Sequence, residues 1–358
     1  MTKLHELKKA GQSAWYDNIT RQLLLSGELD KLISSGILGL TSNPTIFQKA
    51  LTSPAYKKQL DELKSKKISV IEAYEKLVFK DILDAAKCFD GVYKTSNGED
   101  GYVSIEVSPQ YAYDTLKTIE EAKRTFTVLD RPNIMIKIPA TKEGIPAIKE
   151  VIASGINVNA TLIFSVEQYE KTANAYIEGL QKRASEGRDL SNIHSVASVF
   201  ISRVDTDIDK GLDAKGNTAL RGLAAVANAK VIYAKFKEIF YSERFEKLKK
   251  KGANMQRPLW ASTSSKDPAY SKVKYVEELI GSETVNTMPE ETVKTFLQSG
   301  NIKVVVEENL EDAKKIIKSL NEEGINIDLV CKKLQAEGVK KFVESFELLL
   351  DSISKNIL

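Results

Sequence analysis

A single lysine interrupts a short apolar run that has the pattern of a buried β-strand. The segment IMIKIPAT occupies residues 134–141, and Lys137 stands in its middle. Because successive side chains of a strand point to opposite faces, Lys137 shares one face with Met135 while three isoleucines occupy the other. An amine held among apolar side chains is destabilised in its charged form, so the neutral amine becomes available to attack a carbonyl carbon. The chemistry that this position favours is formation of a Schiff base.

The same alternation places polar side chains on one face of several other apolar segments. Most of these polar positions lie near the carboxyl end of their segment, and they are Asp17, Asn43, Glu106, Lys137, Asn159, Thr161 and Ser198. Each has an ordinary explanation when taken alone: Asn43 could belong to a turn before a proline, Glu106 could pair with a loop, and Lys137 could be an edge charge. Burying them all without partners would cost on the order of 1–3 kcal/mol for each neutral group and more for each charge. Together they therefore predict a polar pocket that binds a ligand.

The residue types in this predicted pocket suit the cleavage of a carbon–carbon bond near a ketone. Lys137 supplies the nucleophile, and the carboxyl groups of Glu106 and Asp17 can move protons during addition, dehydration and bond cleavage. The four remaining polar side chains, which can bind the hydroxyl groups of a sugar, are Asn43, Asn159, Thr161 and Ser198. This set predicts aldolase-type chemistry on a polyhydroxylated ketone.

Composition and missing motifs argue against several other classes of protein. The 52 basic and 49 acidic residues give a net charge of +3, which is too even to favour binding to nucleic acid or to an anionic membrane. The sequence has only two histidines, His5 and His194, and neither a phosphate-binding glycine loop nor a dinucleotide fingerprint, so no metal or cofactor is expected. Cys88 and Cys331 are far apart and are expected to be reduced thiols. With no signal peptide and no apolar run of ~18 residues, the sequence predicts a cytoplasmic protein.

Eight short apolar segments alternate with amphipathic helical segments along the chain. The predicted strands cover residues 14–19, 37–43, 101–107, 133–139, 156–164, 194–200, 258–262 and 284–289. Repeated βα units form parallel sheets, and eight of them predict a closed (β/α)8 barrel, the TIM barrel, with its chemistry at the carboxyl ends of the strands. No linker divides the sequence, so a single domain spanning residues 1–358 is expected, with a helical insertion at 44–100 and a C-terminal helical tail at 325–358.

The predicted tail carries apolar side chains on one face of a helix. They follow the i, i+3, i+4 spacing and are Val339, Phe342, Val343, Phe346, Leu349, Leu350 and Ile353. Such a helix packs on the barrel exterior or against another subunit, or else covers the mouth of the barrel as a lid. The sequence leaves these alternatives open, and it leaves monomer and homodimer open as well.

Six segments spread over the chain resemble one enzyme family. They read GLTSNPTIFQKAL, IMIKIPAT, GINVNATLIFSVEQY, SVASVFISRVD, LWASTSSKDP and TVNTMPEETV. Together they are similar to transaldolases of the bacterial subtype that is also found fused to phosphoglucose isomerase. Because the chain ends at residue 358, the stand-alone form is expected.

The resemblance implies an enzyme of the pentose phosphate pathway with sugar phosphates as substrates. Such an enzyme moves a dihydroxyacetone unit from a ketose phosphate, sedoheptulose 7-phosphate or fructose 6-phosphate, to an aldose phosphate. The acceptor is glyceraldehyde 3-phosphate or erythrose 4-phosphate. Two other functions stay open: an aldolase that releases free dihydroxyacetone, and a non-catalytic barrel that only binds sugar phosphates.

The resemblance also implies roles for individual residues. Lys137 matches the Schiff-base lysine, Glu106 a carboxylate that works through a water molecule, and Asp17 a proton-transfer residue. The residues that it assigns to ligand contacts are Asn43 and Asn159 for the donor hydroxyls, Thr161 for the catalytic water, Ser198 and Phe200 for the pocket lining, and Arg203 for the phosphate group.

One segment departs from the family pattern. Many transaldolases have the sequence ASFR after the seventh strand, with a second phosphate-binding arginine, whereas this chain reads ASTSSK over residues 261–266. Ser262 keeps the serine of that pattern. Lys266 is either the substitute for the arginine or a solvated loop lysine, and the sequence does not decide between the two.

Overall fold

The protein folds into a closed barrel of eight parallel strands with helices outside. The computed structural model describes residues 1–357. Its strands are β1 (Gln12–Tyr16), β2 (Leu40–Thr41), β3 (Val103–Glu106), β4 (Ile134–Pro139), β5 (Val158–Ile163), β6 (Ser195–Phe200), β7 (Gln256–Ala261) and β8 (Thr284–Met288). Each strand pairs with its neighbours in chain order, and β8 closes the barrel on β1. The predicted (β/α)8 fold is confirmed.

Helices follow the strands around the barrel. They are α1 (Lys3–Lys9), α2 (Arg21–Leu25), α3 (Glu28–Ser34), α4 (Pro44–Ala50), α5 (Lys57–Ser65), α6 (Val70–Cys88), α7 (Asp90–Thr95), α8 (Thr115–Leu129), α9 (Gly144–Ala153), α10 (Val166–Ser185), α11 (Ser202–Ala214), α12 (Ala224–Phe240), α13 (Glu243–Lys249), α14 (Lys274–Glu277), α15 (Glu290–Ser299), α16 (Leu310–Glu322) and α17 (Ile327–Ile357). Four of them, α4 to α7, lie in the segment predicted to be a helical insertion. Among the described residues no helix is both long enough and apolar enough to span a membrane.

The first two strands are shorter than the sequence pattern predicts. β1 ends before Asp17, and β2 contains 2 residues, so the predicted extension of β2 as far as Asn43 is wrong. The chain leaves β2 early because Asn43 caps α4: its side-chain oxygen accepts a hydrogen bond from the backbone N–H of Ile46 at 3.0 Å. Pro44 then occupies the first turn of the helix, where its missing N–H is harmless. Asp17 and Asn43 therefore lie at the rim of the barrel, beyond the strands.

The two faces of β4 pack as the alternation of its residues predicts. Ile134, Ile136 and Ile138 are fully buried, and the strand packs on α8 and α9. Lys137 pairs in register with Glu106 of β3 and with Asn159 of β5. Side chains at paired positions of a barrel share one face, so these three polar groups project into the interior together.

A buried ion cluster closes the end of the barrel where the strands begin. Asp100 accepts hydrogen bonds from Lys8 Nζ at 2.9 Å, Ser13 Oγ at 2.8 Å, Trp15 Nε1 at 3.0 Å and Arg257 Nη2 at 3.0 Å. Burial acts to raise the pKa of Asp100, but the charges of Arg257 and Lys8 and these hydrogen bonds outweigh it and lower the pKa to about 2. This end of a barrel contributes to stability and not to chemistry, so the cluster is a structural element.

Asp100→Asn should lower the free energy of unfolding by roughly 3–5 kcal/mol, because it removes the buried charge partner of Arg257 and leaves only the exposed Glu99. Urea unfolding followed by circular dichroism measures this loss. Glu99→Gln is the matched control, since Glu99 pairs with Lys8 at 3.2 Å and with Arg257 at 3.5 Å but its side chain is 55% exposed. An exposed pair is worth less than about 1 kcal/mol. Equal losses in the two variants would contradict a structural role for Asp100.

The same carboxyl group should make stability depend on pH in acid. The pKa of Asp100 is 3.8 without perturbation and about 2 in the folded protein, so its ionised form stabilises the fold above about pH 4. That stabilisation is lost as the pH falls from about 4 towards 2. The free energies of unfolding of wild type and Asp100→Asn, measured by urea titration at each pH, should therefore converge over this range. A constant difference between them would contradict the assignment.

The last helix lies across the mouth of the barrel. α17 packs along α4 and α5, and the hydroxyls of Thr45 and Ser345 share a hydrogen bond of 2.8 Å. Gln335 Nε2 donates hydrogen bonds to the carbonyl oxygens of Ala140 and Leu162, both at 2.9 Å, at the carboxyl ends of β4 and β5. The apolar face predicted for the tail therefore packs on this same chain, over the end of the barrel that holds the predicted site.

Candidate active site

A cavity of about 250 Å³ opens at the carboxyl ends of the strands. The residues predicted from the sequence that line it are Asp17, Asn43, Lys137, Thr161, Ser198, Phe200, Arg203, Ser262 and Lys266. Glu106 and Asn159 lie directly behind this surface, next to Lys137 and Ser198 respectively. The fold thus brings every predicted site residue together at the end where barrel enzymes carry out their chemistry.

The amine of Lys137 is held inside the barrel mouth. Its side chain is 6% exposed, and Nζ donates a hydrogen bond to the carbonyl oxygen of Ser42 at 2.8 Å. The same Nζ lies 3.5 Å from Oε2 of Glu106. Lys137 stands on a strand that pairs with a neighbouring strand on each side, so its backbone is held in place. Its side chain therefore directs the amine towards the cavity.

The carboxyl group of Glu106 is buried and poorly satisfied. Neither of its oxygens has a hydrogen-bond partner among residues 1–357. Burial raises the pKa of Glu106, and the positive charge of Lys137 opposes that rise. Leaving a buried carboxyl group without hydrogen bonds is costly, and such perturbed groups cluster at functional sites. Glu106 is therefore suited to hold and deliver a proton beside the amine.

A second carboxyl group faces the cavity just beyond the end of β1. Oδ1 of Asp17 accepts a hydrogen bond from the hydroxyl of Thr41 at 2.8 Å. Burial raises the pKa of Asp17, while Lys137, the hydrogen bond from Thr41 and the charge of Lys266 act in the opposite direction. The two carboxyl groups flank the same amine in different surroundings, an arrangement that lets one act as acid and the other as base.

Amide and hydroxyl groups surround the amine. Ser198 Oγ donates a hydrogen bond to Asn159 Oδ1 at 2.6 Å, and Asn159 Nδ2 donates one to Ser104 Oγ at 3.1 Å. The buried hydroxyl of Thr161 has no hydrogen-bond partner in the described part of the chain, so it is available to a ligand or a water molecule. Asn43 uses its side-chain oxygen as the cap of α4, and it also lines the cavity. Asn43 is therefore a helix cap and not a turn residue, and it also has a place in the site.

Positive charge is concentrated on one side of the cavity. The guanidinium of Arg203 lies 5.1 Å from the centroid of the Phe200 ring, and Lys266 Nζ donates a hydrogen bond to Ser264 Oγ at 2.6 Å. Burial and then the charge of Arg203 lower the pKa of Lys266, because the two cations lie near each other at the cavity. Two neighbouring cations at a cavity wall favour an anion such as a phosphate group.

The end of β7 is joined to the start of α11 beside these cations. Ser262 has a φ of 54°, in the left-handed region that few serines adopt. Its hydroxyl lies 3.1 Å from the hydroxyl of Ser202, and its carbonyl oxygen accepts a hydrogen bond from the Ser202 N–H at 3.1 Å. These contacts position the loop that carries Lys266 next to the helix that carries Arg203.

Among the cavity residues that were not predicted from the sequence, two add a charge or an aromatic ring. Lys49 of α4 adds a further cation, and Phe342 of α17 adds an aromatic wall. Thr45 and Ile46 also line the cavity and precede Lys49 by helical spacings, so the helical period is the signal that could have found it. Phe342 is recognisable only as part of the apolar face of the tail, because its contact with the cavity depends on where α17 docks.

The closed barrel and the polar cavity at its mouth define the class of (β/α)8 barrel enzymes, here one with a buried amine beside two carboxyl groups. A family model described as Transaldolase/Fructose-6-phosphate aldolase matches residues 14–353. The chain therefore belongs to the transaldolase/fructose-6-phosphate aldolase family.

Curated relatives match almost the whole chain. A protein named Transaldolase from Trichodesmium erythraeum is 48% identical over 370 residues, which cover 99% of this chain and 97% of that protein. Transaldolase 2 from Nostoc punctiforme is 46% identical over 371 residues, with 99% and 97% covered. A protein named Transaldolase from Mycolicibacterium smegmatis is 46% identical over 355 residues, with 98% and 96% covered. The predicted enzyme class, a transaldolase and thus a transferase, is confirmed, and neither alternative function is favoured.

Proposed function

We propose that the protein transfers a dihydroxyacetone unit from a ketose phosphate to an aldose phosphate through a Schiff base on Lys137. The observation that carries this proposal is the Lys137 amine, buried at the cavity 3.5 Å from Glu106, whose carboxyl group has no hydrogen-bond partner among the described residues. The relatives named transaldolase support transfer over simple cleavage. Transaldolase activity implies sugar-phosphate substrates, and the positive side of the cavity suits them.

In the first half-reaction, the amine of Lys137, once it has given up a proton, attacks the carbonyl carbon of the ketose phosphate. Glu106, through a water molecule, delivers a proton to the hydroxyl that leaves as water, and the Schiff base forms. Asp17 then accepts the proton of the hydroxyl on the second carbon from the imine carbon. The bond between that carbon and the carbon next to the imine breaks, and its electron pair moves towards the protonated imine. An aldose phosphate leaves, and an enamine of dihydroxyacetone stays attached to Lys137.

In the second half-reaction, the enamine carbon attacks the aldehyde of the acceptor. Asp17 returns its proton to the oxygen of that aldehyde, and hydrolysis of the new Schiff base releases the product ketose phosphate. The side chains proposed to hold the hydroxyls of the three-carbon unit and the water molecule are Asn43, Asn159, Thr161 and Ser198. Phe200 lines the cavity beside Arg203.

Arg203→Ala should raise KM for phosphorylated substrates by about 10- to 150-fold, because a charge-assisted contact is worth roughly 1.5–3 kcal/mol. Steady-state kinetics with fructose 6-phosphate as donor measure this change. Unphosphorylated dihydroxyacetone, used as the donor, should be affected much less. An equal loss with both donors would mean that Arg203 has a structural role and that the phosphate binds elsewhere.

The same comparison tests the other cations of the cavity. We propose that Lys266 replaces the second phosphate-binding arginine of the family, which its closeness to Arg203 supports. Lys266→Ala should then raise KM for phosphorylated donors and leave KM for dihydroxyacetone nearly unchanged. Lys49→Ala, measured in parallel, tests whether the cation of α4 contributes to the same site. An unchanged KM in Lys266→Ala would make it a solvated loop lysine.

Dependence on an acceptor separates the candidate functions. With fructose 6-phosphate alone, the enzyme should release about one equivalent of glyceraldehyde 3-phosphate per active site and then stop. Addition of erythrose 4-phosphate should start continuous turnover with formation of sedoheptulose 7-phosphate. Continuous turnover without an acceptor would indicate an aldolase that releases free dihydroxyacetone. Absence of both a burst and an adduct would indicate a non-catalytic barrel.

We further propose that residues 1–358 form one domain, in which 44–100 is a helical insertion and 325–358 a C-terminal tail. One continuous core of buried apolar side chains, shared by the barrel and its helices, supports a single domain. We propose that the enzyme acts in the cytoplasm, in the pentose phosphate pathway; the free thiols Cys88 and Cys331 are consistent with a reducing compartment. Both a monomer and a homodimer are compatible with this function.

A further inference from the structure

The backbone of β5 takes a strained conformation directly after Thr161. Leu162 has a φ of 58°, in the left-handed region that residues other than glycine rarely adopt. The pairing of β5 with β6 also shifts in register between Ala160 and Ile163, so the strand bulges at this point. Bulges re-aim neighbouring side chains and are frequent beside active sites. Here the neighbour is Thr161, whose hydroxyl has no partner among the described residues and lies at the cavity.

Two residues of α17 hold the bulge from outside the barrel. Gln335 Nε2 donates hydrogen bonds to the carbonyl oxygens of Leu162 and Ala140, both at 2.9 Å. The N–H of Ala140 in turn donates to the carbonyl oxygen of Thr161 at 2.7 Å, so Gln335 completes a bridge between the ends of β4 and β5. Gly338 lies one turn further along α17, so close that a β-carbon there would stand 2.8 Å from Leu162 Cδ2.

We propose that Gln335 and Gly338 are positioning residues that hold the bulge at Leu162 and thereby aim the Thr161 hydroxyl at the Schiff base on Lys137. The inference rests on the proposed function, in which Thr161 orders the water that the proton transfers use. Strained backbone persists only where its surroundings over-determine it. The two hydrogen bonds from Gln335 and the close approach of Gly338 provide that constraint, so the C-terminal helix supports the chemistry in addition to covering the mouth.

Gln335→Leu keeps the size of the side chain but removes both hydrogen bonds to the bulge. It should lower kcat by roughly 10- to 100-fold, because small displacements of a catalytic group have effects of that order. KM for the phosphorylated donor should change by less than about twofold, since Arg203 is untouched. Ser345→Ala is the matched control, because it removes a different hydrogen bond of α17, the one to Thr45, and leaves the bulge intact. Its kcat should stay within about twofold of wild type.

A double-mutant cycle with Thr161→Ala shows whether Gln335 acts through Thr161. Gln335→Leu should lower kcat in the wild-type background and have little further effect in the Thr161→Ala background. A loss of stability alone would lower both backgrounds alike. Equal effects in the two backgrounds overturn the proposal, and so does a kcat of Gln335→Leu that equals that of Ser345→Ala.

Gly338→Ala tests the same contact in a variant that should fold well. Alanine is favoured over glycine inside a helix, and the nearest atom to the added β-carbon is the end of the Leu162 side chain, so Tm should not fall. The added β-carbon should press on Leu162 and lower kcat, whereas an unchanged kcat overturns the role of Gly338.

Borohydride trapping separates failure of this inference from failure of the proposed function. If wild type forms no adduct with fructose 6-phosphate, the proposed function and this inference both fall. If wild type forms the adduct and Gln335→Leu forms it at the same rate, only the positioning role is overturned.

Discussion

Lys137→Met is expected to reduce turnover to background while the barrel still folds. Methionine matches the length of lysine, and it replaces an aliphatic stem that is already packed inside the barrel mouth. The variant loses the hydrogen bond to the carbonyl oxygen of Ser42, a loss of about 1 kcal/mol. Glu106 loses its neighbouring cation, and it can remain neutral by keeping a proton. A coupled assay of transfer to erythrose 4-phosphate measures turnover, and circular dichroism measures folding.

Lys142→Met is the matched control for this substitution. Lys142 follows β4 on an exposed loop, five positions after Lys137, so it shares the segment but not the cavity. Turnover by Lys142→Met should equal that of wild type. If Lys137→Met retains turnover near the wild-type level, the amine of Lys137 serves only to balance the charge of the neighbouring carboxyl groups and the Schiff-base mechanism is wrong.

Glu106→Gln should lower kcat by about 10² to 10⁴, because it keeps the shape of the side chain but removes the group that gives and takes a proton. Stability should change little, since both oxygens of Glu106 lack hydrogen-bond partners within residues 1–357 and glutamine carries no charge to bury. Single-turnover mixing with fructose 6-phosphate and borohydride should show slower formation of the Schiff base.

Asp17→Asn distinguishes the two carboxyl groups of the site. In the proposed mechanism Asp17 acts after the Schiff base has formed, so this variant should still be trapped by borohydride, but with the intact ketose instead of a three-carbon unit. In Glu106→Gln, borohydride should instead trap little of either adduct, the intact ketose or the three-carbon unit, at short times. An unchanged kcat in Glu106→Gln, with normal thermal stability, would transfer the acid–base role to Asp17.

The polar face of the barrel can be predicted from the sequence because a barrel strand has two different environments. Helices cover the outer face, so an apolar side chain is needed at every second position, and a lysine among isoleucines stands out as belonging to the other face. The alternation places Lys137, Glu106 and Asn159 on inner faces. It does not give the register between strands, and the pairing of Lys137 with both neighbours is visible only in the fold.

Residues contributed by helices and loops are harder to predict, because their place depends on tertiary packing. Phe342 lies on α17, and nothing in the helical pattern of the tail states which end of the barrel that helix covers. Lys49 lies on α4, and helical spacing finds it only once Thr45 and Ile46 are known to line the cavity. The early end of β2 follows from the cap at Asn43, which competes with strand pairing for the same backbone. The left-handed conformation of Leu162 has no sequence signal at all, since leucine is not a turn residue and the bulge is held by Gln335 far along the chain.

Reductive trapping shows whether a ketose phosphate becomes covalently attached to Lys137. The full-length enzyme is mixed with fructose 6-phosphate and sodium borohydride, digested, and examined by mass spectrometry. We expect a reduced three-carbon adduct on the peptide that contains IMIKIPAT, at Lys137, and no adduct in Lys137→Met. An adduct on any other lysine, or turnover with no adduct at all, would contradict it.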